Sequence, residues 1–265
     1  MIEVTTEVTA RTNTEPWYAG TKNLINRELR YERSAMYWIQ QLLIWTFLAN
    51  GFVVLFLSLP ADMIAEVLPL PQDTFSLLMF FNMLVLLFSI FIPVLLQGIV
   101  IDEKLSGTAA WILSKPVSKK AYLLSKLTAG ILAIMGVSVV IQGVIAYGIF
   151  IGYGYTLNIP GFLMNLGLTG ILVAYIASLT VMIGTLTTSR GKVLAVAIGL
   201  TLGSQIVARF FPLVLFLIPC SLPLAGLGLV TGDSVLGLDW MLLSASVQTV
   251  MFVLISLFVF DRTEL

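Results

Sequence analysis

The side chains best placed for specific contacts lie in one polar segment of this sequence, from Asp102 to Lys126. Asp102 and Glu103 open the segment, and five lysines follow: Lys104, Lys115, Lys119, Lys120 and Lys126. Such charges can form ion pairs, donate or accept hydrogen bonds and bind membrane headgroups. The segment is also the longest polar interruption between two very hydrophobic runs. This pattern predicts a surface that meets another molecule.

Patterns typical of catalysis or nucleotide binding are absent from the sequence. The string nearest to a phosphate-binding loop, from Gly184 to Val193, has the wrong spacing and lacks the hydroxyl group that should follow the lysine. Neither HExxH nor GxSxG occurs. The chain has no histidine and a single cysteine, Cys220, which removes histidine-ligated metal sites and an intrachain disulfide. We therefore predict no catalytic residue, no metal ligand and no cofactor in this chain.

The composition indicates a membrane protein. Of the 265 residues, 58% are hydrophobic and 11% are charged, whereas a soluble domain carries about 25% charged residues. The mean hydropathy is +1.01. The formal net charge of +0 argues against a nucleic-acid partner.

Six segments are apolar enough to cross a membrane as helices, which takes about 20 residues each. We call them spans 1 to 6: Trp38–Leu59, Phe75–Ile101, Leu127–Ile151, Phe162–Thr187, Val193–Phe211 and Trp240–Phe260. They predict an all-α polytopic membrane protein with a single six-helix transmembrane domain over residues 38–260.

Shorter segments complete the predicted organisation. Residues 21–37 mix apolar and charged side chains, which predicts an amphipathic interfacial helix. Residues 212–230 are apolar but interrupted by prolines and glycines, which favours short re-entrant helices over a seventh span. The remaining predicted parts are a mobile cytoplasmic N-terminus (1–20), a cytoplasmic loop (102–120) and a cytoplasmic tail (261–265).

The distribution of basic residues predicts the orientation. Lysines and arginines occur before span 1, between spans 2 and 3, between spans 4 and 5, and after span 6. The other loops contain aspartates and a glutamate but no lysine or arginine, and Arg209 near the end of span 5 is the one exception. This positive-inside pattern predicts a multi-pass protein of the cell membrane with both termini cytoplasmic.

The spans contain almost no charge, so an ion-driven mechanism has no obvious site. Their strongly polar groups are amides, and the candidates for a translocation path or for interhelical contacts are Asn50, Asn82, Gln97 and Gln142. Interhelical hydrogen bonds, typically ~0.6 kcal/mol each, are the simpler interpretation for any single amide. Energy for transport against a gradient would have to arrive through a contact with another protein.

The polar segment resembles a known family. Glu103-Lys-Leu-Ser-Gly-Thr108, then Ile112-Leu-Ser-Lys-Pro-Val-Ser118, then Tyr122 and Lys126, is similar to the loop motif of the permeases of type-2 ATP-binding-cassette (ABC) exporters. This chain has Ile-Leu where Leu-Leu is usual, Ser125 where glycine is usual, and Lys104 where arginine is frequent. The predicted spans and the segment 212–230 agree with that family in outline.

The resemblance implies a coupling helix that docks on a separate cytoplasmic ABC ATPase, which would bind ATP and magnesium. The implied coupling residues are Asp102, Glu103, Lys104, Ser106, Gly107, Thr108, Trp111, Ile112, Leu113 and Pro116. It also implies a second copy of the chain or a homologous permease, surrounded by membrane lipids. Because the spans offer few charges, the expected export cargo is hydrophobic or amphipathic.

Other interpretations remain open from the residues alone. Without the resemblance, a loop that rests on lipid accounts for the polar segment as well as a docking helix does. A non-energised scaffold or channel-like protein that recruits a cytoplasmic partner would use the same loop. A lipid-modifying enzyme is the least favoured, because the loops offer only scattered aspartates.

Overall fold

A computed structural model describes residues 20–31, 35–67, 70–106, 108, 112 and 117–262. Throughout these ranges every regular element is helical, which confirms the predicted all-α class.

Among the residues that the structure describes, six helices are long and apolar enough to cross a membrane, as predicted. Spans 1 to 6 cover Trp38–Ser58, Gln72–Leu105, Lys119–Gly152, Ile159–Leu186, Arg190–Phe210 and Leu238–Asp261. Six such helices are compatible with a multi-pass membrane protein.

Spans 2 and 3 are longer than predicted, at 34 residues each. Span 3 begins at Lys119 because Ser118 caps it: the Ser118 hydroxyl accepts a hydrogen bond from the Ala121 amide at 3.0 Å. Its first turns also bury Tyr122 and Lys126, two side chains that a hydropathy criterion would assign to solvent. The charged ends of both spans therefore remain helical where hydropathy alone predicts a loop.

The spans are built from several segments, and short helices join them. A helix that we call the N-terminal helix covers Thr21–Tyr31, and the next described helix begins at Ala35 and leads into span 1. Residues 32–34 of the predicted 21–37 element lie outside the described residues. In chain order the segments are Thr21–Tyr31, Ala35–Trp45, Thr46–Asn50, Gly51–Ser58, Ala61–Val67, Gln72–Leu96, Ile101–Leu105, Lys119–Ile134, Met135–Val140, Ile141–Gly152, Ile159–Leu186, Arg190–Phe210, Pro212–Leu217, Pro219–Ser221, Leu222–Ala225, Leu227–Thr231 and Leu238–Asp261.

Two of these segments are π-helical and lie inside transmembrane spans. Thr46–Asn50 interrupts span 1 and Met135–Val140 interrupts span 3. Such widened turns leave backbone carbonyls without their usual helical partner. Gln142 supplies a donor to one such carbonyl, because its side-chain amide donates to the Val137 carbonyl at 3.1 Å.

Span 4 forms the centre of the bundle and span 6 its periphery. Of the most apolar window of span 4, 72% is buried within the chain, against 11% for span 6. Phe80, Phe81 and Phe88 of span 2 are fully buried in the main core.

Glycine permits the chain between spans 5 and 6 to lie directly against span 4. A Cβ atom on Gly161 would come within 2.0 Å of the Leu229 carbonyl oxygen, and one on Gly226 within 2.1 Å of Asn165 Oδ1. Asn165 also donates to the Pro223 carbonyl at 3.1 Å. The short helices between Pro212 and Thr231 therefore pack on protein along at least this side.

Pro93 in span 2 leaves the Ser89 carbonyl without its helical donor. The Thr201 hydroxyl of span 5 lies 3.3 Å from the Ser89 carbonyl oxygen and 2.9 Å from the Ala197 carbonyl oxygen of its own helix, so these two acceptors share one donor. One turn further along span 5, Gln205 donates to the Ser89 hydroxyl at 3.0 Å. Ser89 thus joins the two spans through its backbone and its side chain.

Candidate functional site

A buried lysine lies at the end of the bundle that carries the polar segment. Lys126 is 1% exposed, and its ammonium lies 2.9 Å from Glu103 Oε1 and 3.2 Å from Glu28 Oε2. Glu28 belongs to the N-terminal helix, Glu103 to the end of span 2 and Lys126 to the start of span 3. A buried charge is tolerated only with such compensation, so the Lys126 ammonium requires Glu28 and Glu103 to stay beside it and thereby fixes the three elements relative to one another.

Tyr122 completes this cluster. Its hydroxyl donates to Glu103 Oε2, and its ring stacks on Phe260 of span 6 with 5.6 Å between ring centroids. Both carboxylate oxygens of Glu103 therefore accept a hydrogen bond from span 3. We call Glu28, Glu103, Tyr122 and Lys126 the charged cluster.

Two further side chains of span 2 make contacts beside the charged cluster. Asp102 pairs with Arg190 of span 5, with 2.5 Å between the closest atoms. Lys104 lies over the Phe260 ring, 5.3 Å from its centroid, and donates weakly to the Thr185 carbonyl at 3.4 Å. The end of span 2 thus contacts spans 3, 4, 5 and 6.

Gly98 is required for the Asp102 side chain to take this position. A Cβ atom there would lie 2.3 Å from Asp102 Oδ2. Gln97, Asp102, Glu103 and Arg190 also line a cavity of 260 Å³ that opens beside the cluster. This end of the bundle is therefore polar and solvent-accessible next to a closed ion-pair core.

The predicted coupling residues are described only in part. Ser106 and Thr108 lie close together, with 2.9 Å between their hydroxyl oxygens, and Ile112 is 2% exposed and joins the main core. Ile112 therefore anchors the loop to the bundle. Four of the predicted residues lie outside the described residues, and their roles remain predictions: Gly107, Trp111, Leu113 and Pro116.

The four predicted amides separate into two kinds. Asn50 and Gln142 are buried and joined by a hydrogen bond of 2.8 Å between spans 1 and 3. Asn82 and Gln97 do not join them, because Asn82 lines a cavity at the opposite end of the bundle and Gln97 donates to Val94 of its own helix. The first pair has the geometry of an interhelical contact.

Sequence reasoning named Glu103 but did not predict its partners. Glu28 and Lys126 are 98 positions apart, and no local pattern indicates that they meet. One signal was available, because Tyr122 and Lys126 are four residues apart and so share a helix face if span 3 begins early.

Comparison with known proteins gives a family without an assigned activity. Residues 34–265 match the family described as "Protein of unknown function (DUF2705)". No curated protein matches the sequence. Because the match covers most of the chain, the protein belongs to the family described as "Protein of unknown function (DUF2705)".

Proposed function

We propose that this chain is the membrane subunit of an ABC exporter and that a separate ATPase supplies the energy. The observation that carries the proposal is the charged cluster, which lies at the root of the loop whose sequence resembles the coupling loop of type-2 ABC permeases. The cluster gives that loop a rigid attachment to the transmembrane bundle.

The loop is closed at its base by hydrogen bonds between its two ends. Glu103 precedes the loop, whereas Tyr122 and Lys126 follow it, and both bond to the Glu103 carboxylate. A displacement of the loop by a docked protein would therefore move the ends of spans 2 and 3 together. This behaviour suits rigid-body transmission better than a loop that floats on lipid.

The N-terminal helix takes part in the same attachment. Leu24 and Glu28, one turn apart, are both buried, and Glu28 bonds to Lys126. Lys22 and Leu29 on other faces are exposed. We propose that this helix lies along the cytoplasmic interface and moves with the loop. The loop and both termini would then be cytoplasmic, in agreement with the basic residues at this end.

The cargo and the assembly follow from the surface of the bundle. Span 6 is largely uncovered by the rest of the chain and apolar, so it offers area to lipid, to a second copy or to a homologous permease. The buried charge lies at the loop end, which leaves the spans suited to a hydrophobic or amphipathic cargo. The segment between spans 5 and 6 would form the re-entrant helices of the outer side.

Co-expression with a candidate ABC ATPase from the same genome tests the proposal. We expect the ATPase to co-purify in mild detergent and its hydrolysis rate to rise in the complex. Trp111→Asp in the loop should abolish both effects, whereas Leu236→Asp, which alters an exposed apolar side chain outside the loop, should preserve them.

Two results would contradict the proposal. In one, no ATPase co-purifies under conditions that keep the chain monodisperse. In the other, the ATPase binds but its rate and the conformation of the membrane subunit do not respond to each other. The second result would favour a non-energised scaffold that uses the same loop.

A further inference from the structure

A second cavity lies at the end of the bundle opposite the charged cluster. Its volume is 320 Å³, and it opens between span 2, span 5 and the short helices that follow span 5. The cavity combines polar side chains from two spans with an apolar wall, and the wall includes Leu215, Ile218 and Leu224. The polar side chains that matter here are Asn82 and Arg209.

Arg209 is unusual for its place in the sequence. The loops at this end contain no lysine or arginine, so Arg209 is the sole basic residue there. It lies roughly 28 Å along span 5 from Arg190, at about 1.5 Å per residue, which is close to the hydrocarbon thickness of about 30 Å. If Arg190 lies at one membrane boundary, Arg209 lies at the other, at the depth where lipid phosphates and glycerol groups begin.

The surroundings of Arg209 are apolar and open to the membrane. Val207, Phe210 and Leu213 are exposed large hydrophobic side chains on either side of it along the chain. Arg209 itself is exposed and stands one residue before the end of span 5, so its guanidinium can reach the interface where headgroups lie. An occupant of this cavity should therefore be able to arrive from the lipid phase.

The cavity contains polar groups that protein does not satisfy. The side chains of Arg209 and Asn82 make no hydrogen bond or ion pair with another described residue. Gln205 and Ser221, which also line it, already donate to Ser89 and to the Leu215 carbonyl. Arg209 is exposed and Asn82 is half-buried, so a guanidinium and an amide remain available to the same occupant.

We propose that this cavity binds the anionic phosphate group of an amphipathic molecule. Arg209 supplies a planar pair of donors that matches a phosphate, and Asn82 supplies a neutral donor from the other span. Leu215, Ile218 and Leu224 would contact the first methylene groups of the apolar part. The site is independent of the proposed ATPase contact, because it lies at the other end of the bundle.

Native mass spectrometry of the delipidated full-length chain tests this site. Phosphatidylglycerol is the probe, and phosphatidylcholine and inorganic phosphate are titrated in parallel. We expect phosphatidylglycerol to bind more tightly than phosphatidylcholine, whose phosphate charge is balanced by choline. Arg209→Lys and Asn82→Leu should each weaken phosphatidylglycerol binding roughly tenfold, the effect of losing one charge-assisted hydrogen bond.

Two controls separate this site from general lipid attraction. Arg262→Lys makes the same exchange at the other end of the bundle, where Arg262 lies over the Phe258 ring, and should leave phosphatidylglycerol binding unchanged. Leu224→Trp fills the cavity without removing a polar group and should also weaken binding. The latter variant keeps the test usable if a polar variant fails to fold.

Three outcomes would overturn the proposal. The first is equal phosphatidylglycerol binding by wild type, Arg209→Lys, Asn82→Leu and Leu224→Trp. The second is equal binding of phosphatidylcholine, because the anionic charge would then not be recognised. The third is displacement of phosphatidylglycerol by inorganic phosphate, which would identify a site for a free phosphate compound instead of an amphiphile.

Discussion

Replacing Lys126 by methionine removes the ammonium group from the charged cluster and keeps nearly the same side-chain length. Lys126 is 1% exposed and lies 2.9 Å from Glu103 and 3.2 Å from Glu28. Removing one partner from a buried ion pair costs about 3–5 kcal/mol. With about 2–4 °C per kcal/mol for a chain of 150–250 residues, we expect a fall of roughly 6–20 °C in apparent Tm.

The measurement is thermal unfolding in detergent, with Lys120→Met as the matched control. Lys120 is in the same helix but exposed, so the same substitution should change stability by no more than about 0.5 kcal/mol. A second variant that combines Lys126→Met with Glu28→Gln and Glu103→Gln should recover part of the lost Tm, because it removes the opposing carboxylates as well.

The result that would refute this reasoning is an equal apparent Tm for Lys126→Met and Lys120→Met. Equal values would mean that solvent, rather than Glu28 and Glu103, compensates the Lys126 charge. The rigid attachment of the loop would then lose its physical basis, and with it the main support for the proposed function.

Three other predictions concern the transmembrane bundle. Gly161→Ala should lower the apparent Tm, because its Cβ would lie 2.0 Å from a backbone oxygen. In the same helix, the Cβ of Gly167→Ala meets nothing within 4 Å, so this control should raise stability by about 0.5–1 kcal/mol. A fall in Tm for both variants would contradict the packing described. Gln142→Leu removes the hydrogen bond between spans 1 and 3 and should destabilise the detergent-solubilised protein by ~0.6 kcal/mol or more. The measurement is an SDS unfolding titration, and a gain in stability of the variant would exclude a stabilising role for this bond. Cys220 is 1% exposed and should resist maleimide in the folded protein, whereas Leu236→Cys, at a position 91% exposed, should react at once; rapid labelling of Cys220 would show that the segment after span 5 opens.

The spans were predictable because hydropathy and helix length are both local properties. Where polar residues continue a helix, hydropathy predicts a span that is too short. In span 3 the predicted helix begins at Leu127, whereas the helix begins at Lys119. The π-helical turns at Thr46–Asn50 and Met135–Val140 have no comparable signal, since hydropathy does not distinguish a π-helical turn from the α-helical turns around it.

Of the candidate site, only the residues within the loop motif could be predicted from the sequence. Glu103 stands inside a recognisable motif, but Glu28 and Lys126 meet through tertiary packing. A lysine is normally expected at a surface, so its burial depends on two carboxylates that a one-dimensional pattern cannot bring together. The pair Asn50 and Gln142 is a similar case, with 92 positions between the two amides.

The proline in span 2 has a consequence for the history of this family. Pro93 leaves the Ser89 carbonyl without its helical donor, and the Thr201 hydroxyl of span 5 is a donor within reach at 3.3 Å, shared with the Ala197 carbonyl at 2.9 Å. We therefore expect positions 93 and 201 to vary together. A lineage that replaced Thr201 by valine while keeping Pro93 would leave a backbone oxygen without a donor inside the bundle. We expect relatives that keep proline at the first position to keep serine or threonine at the second, and relatives that lose the proline to vary freely there.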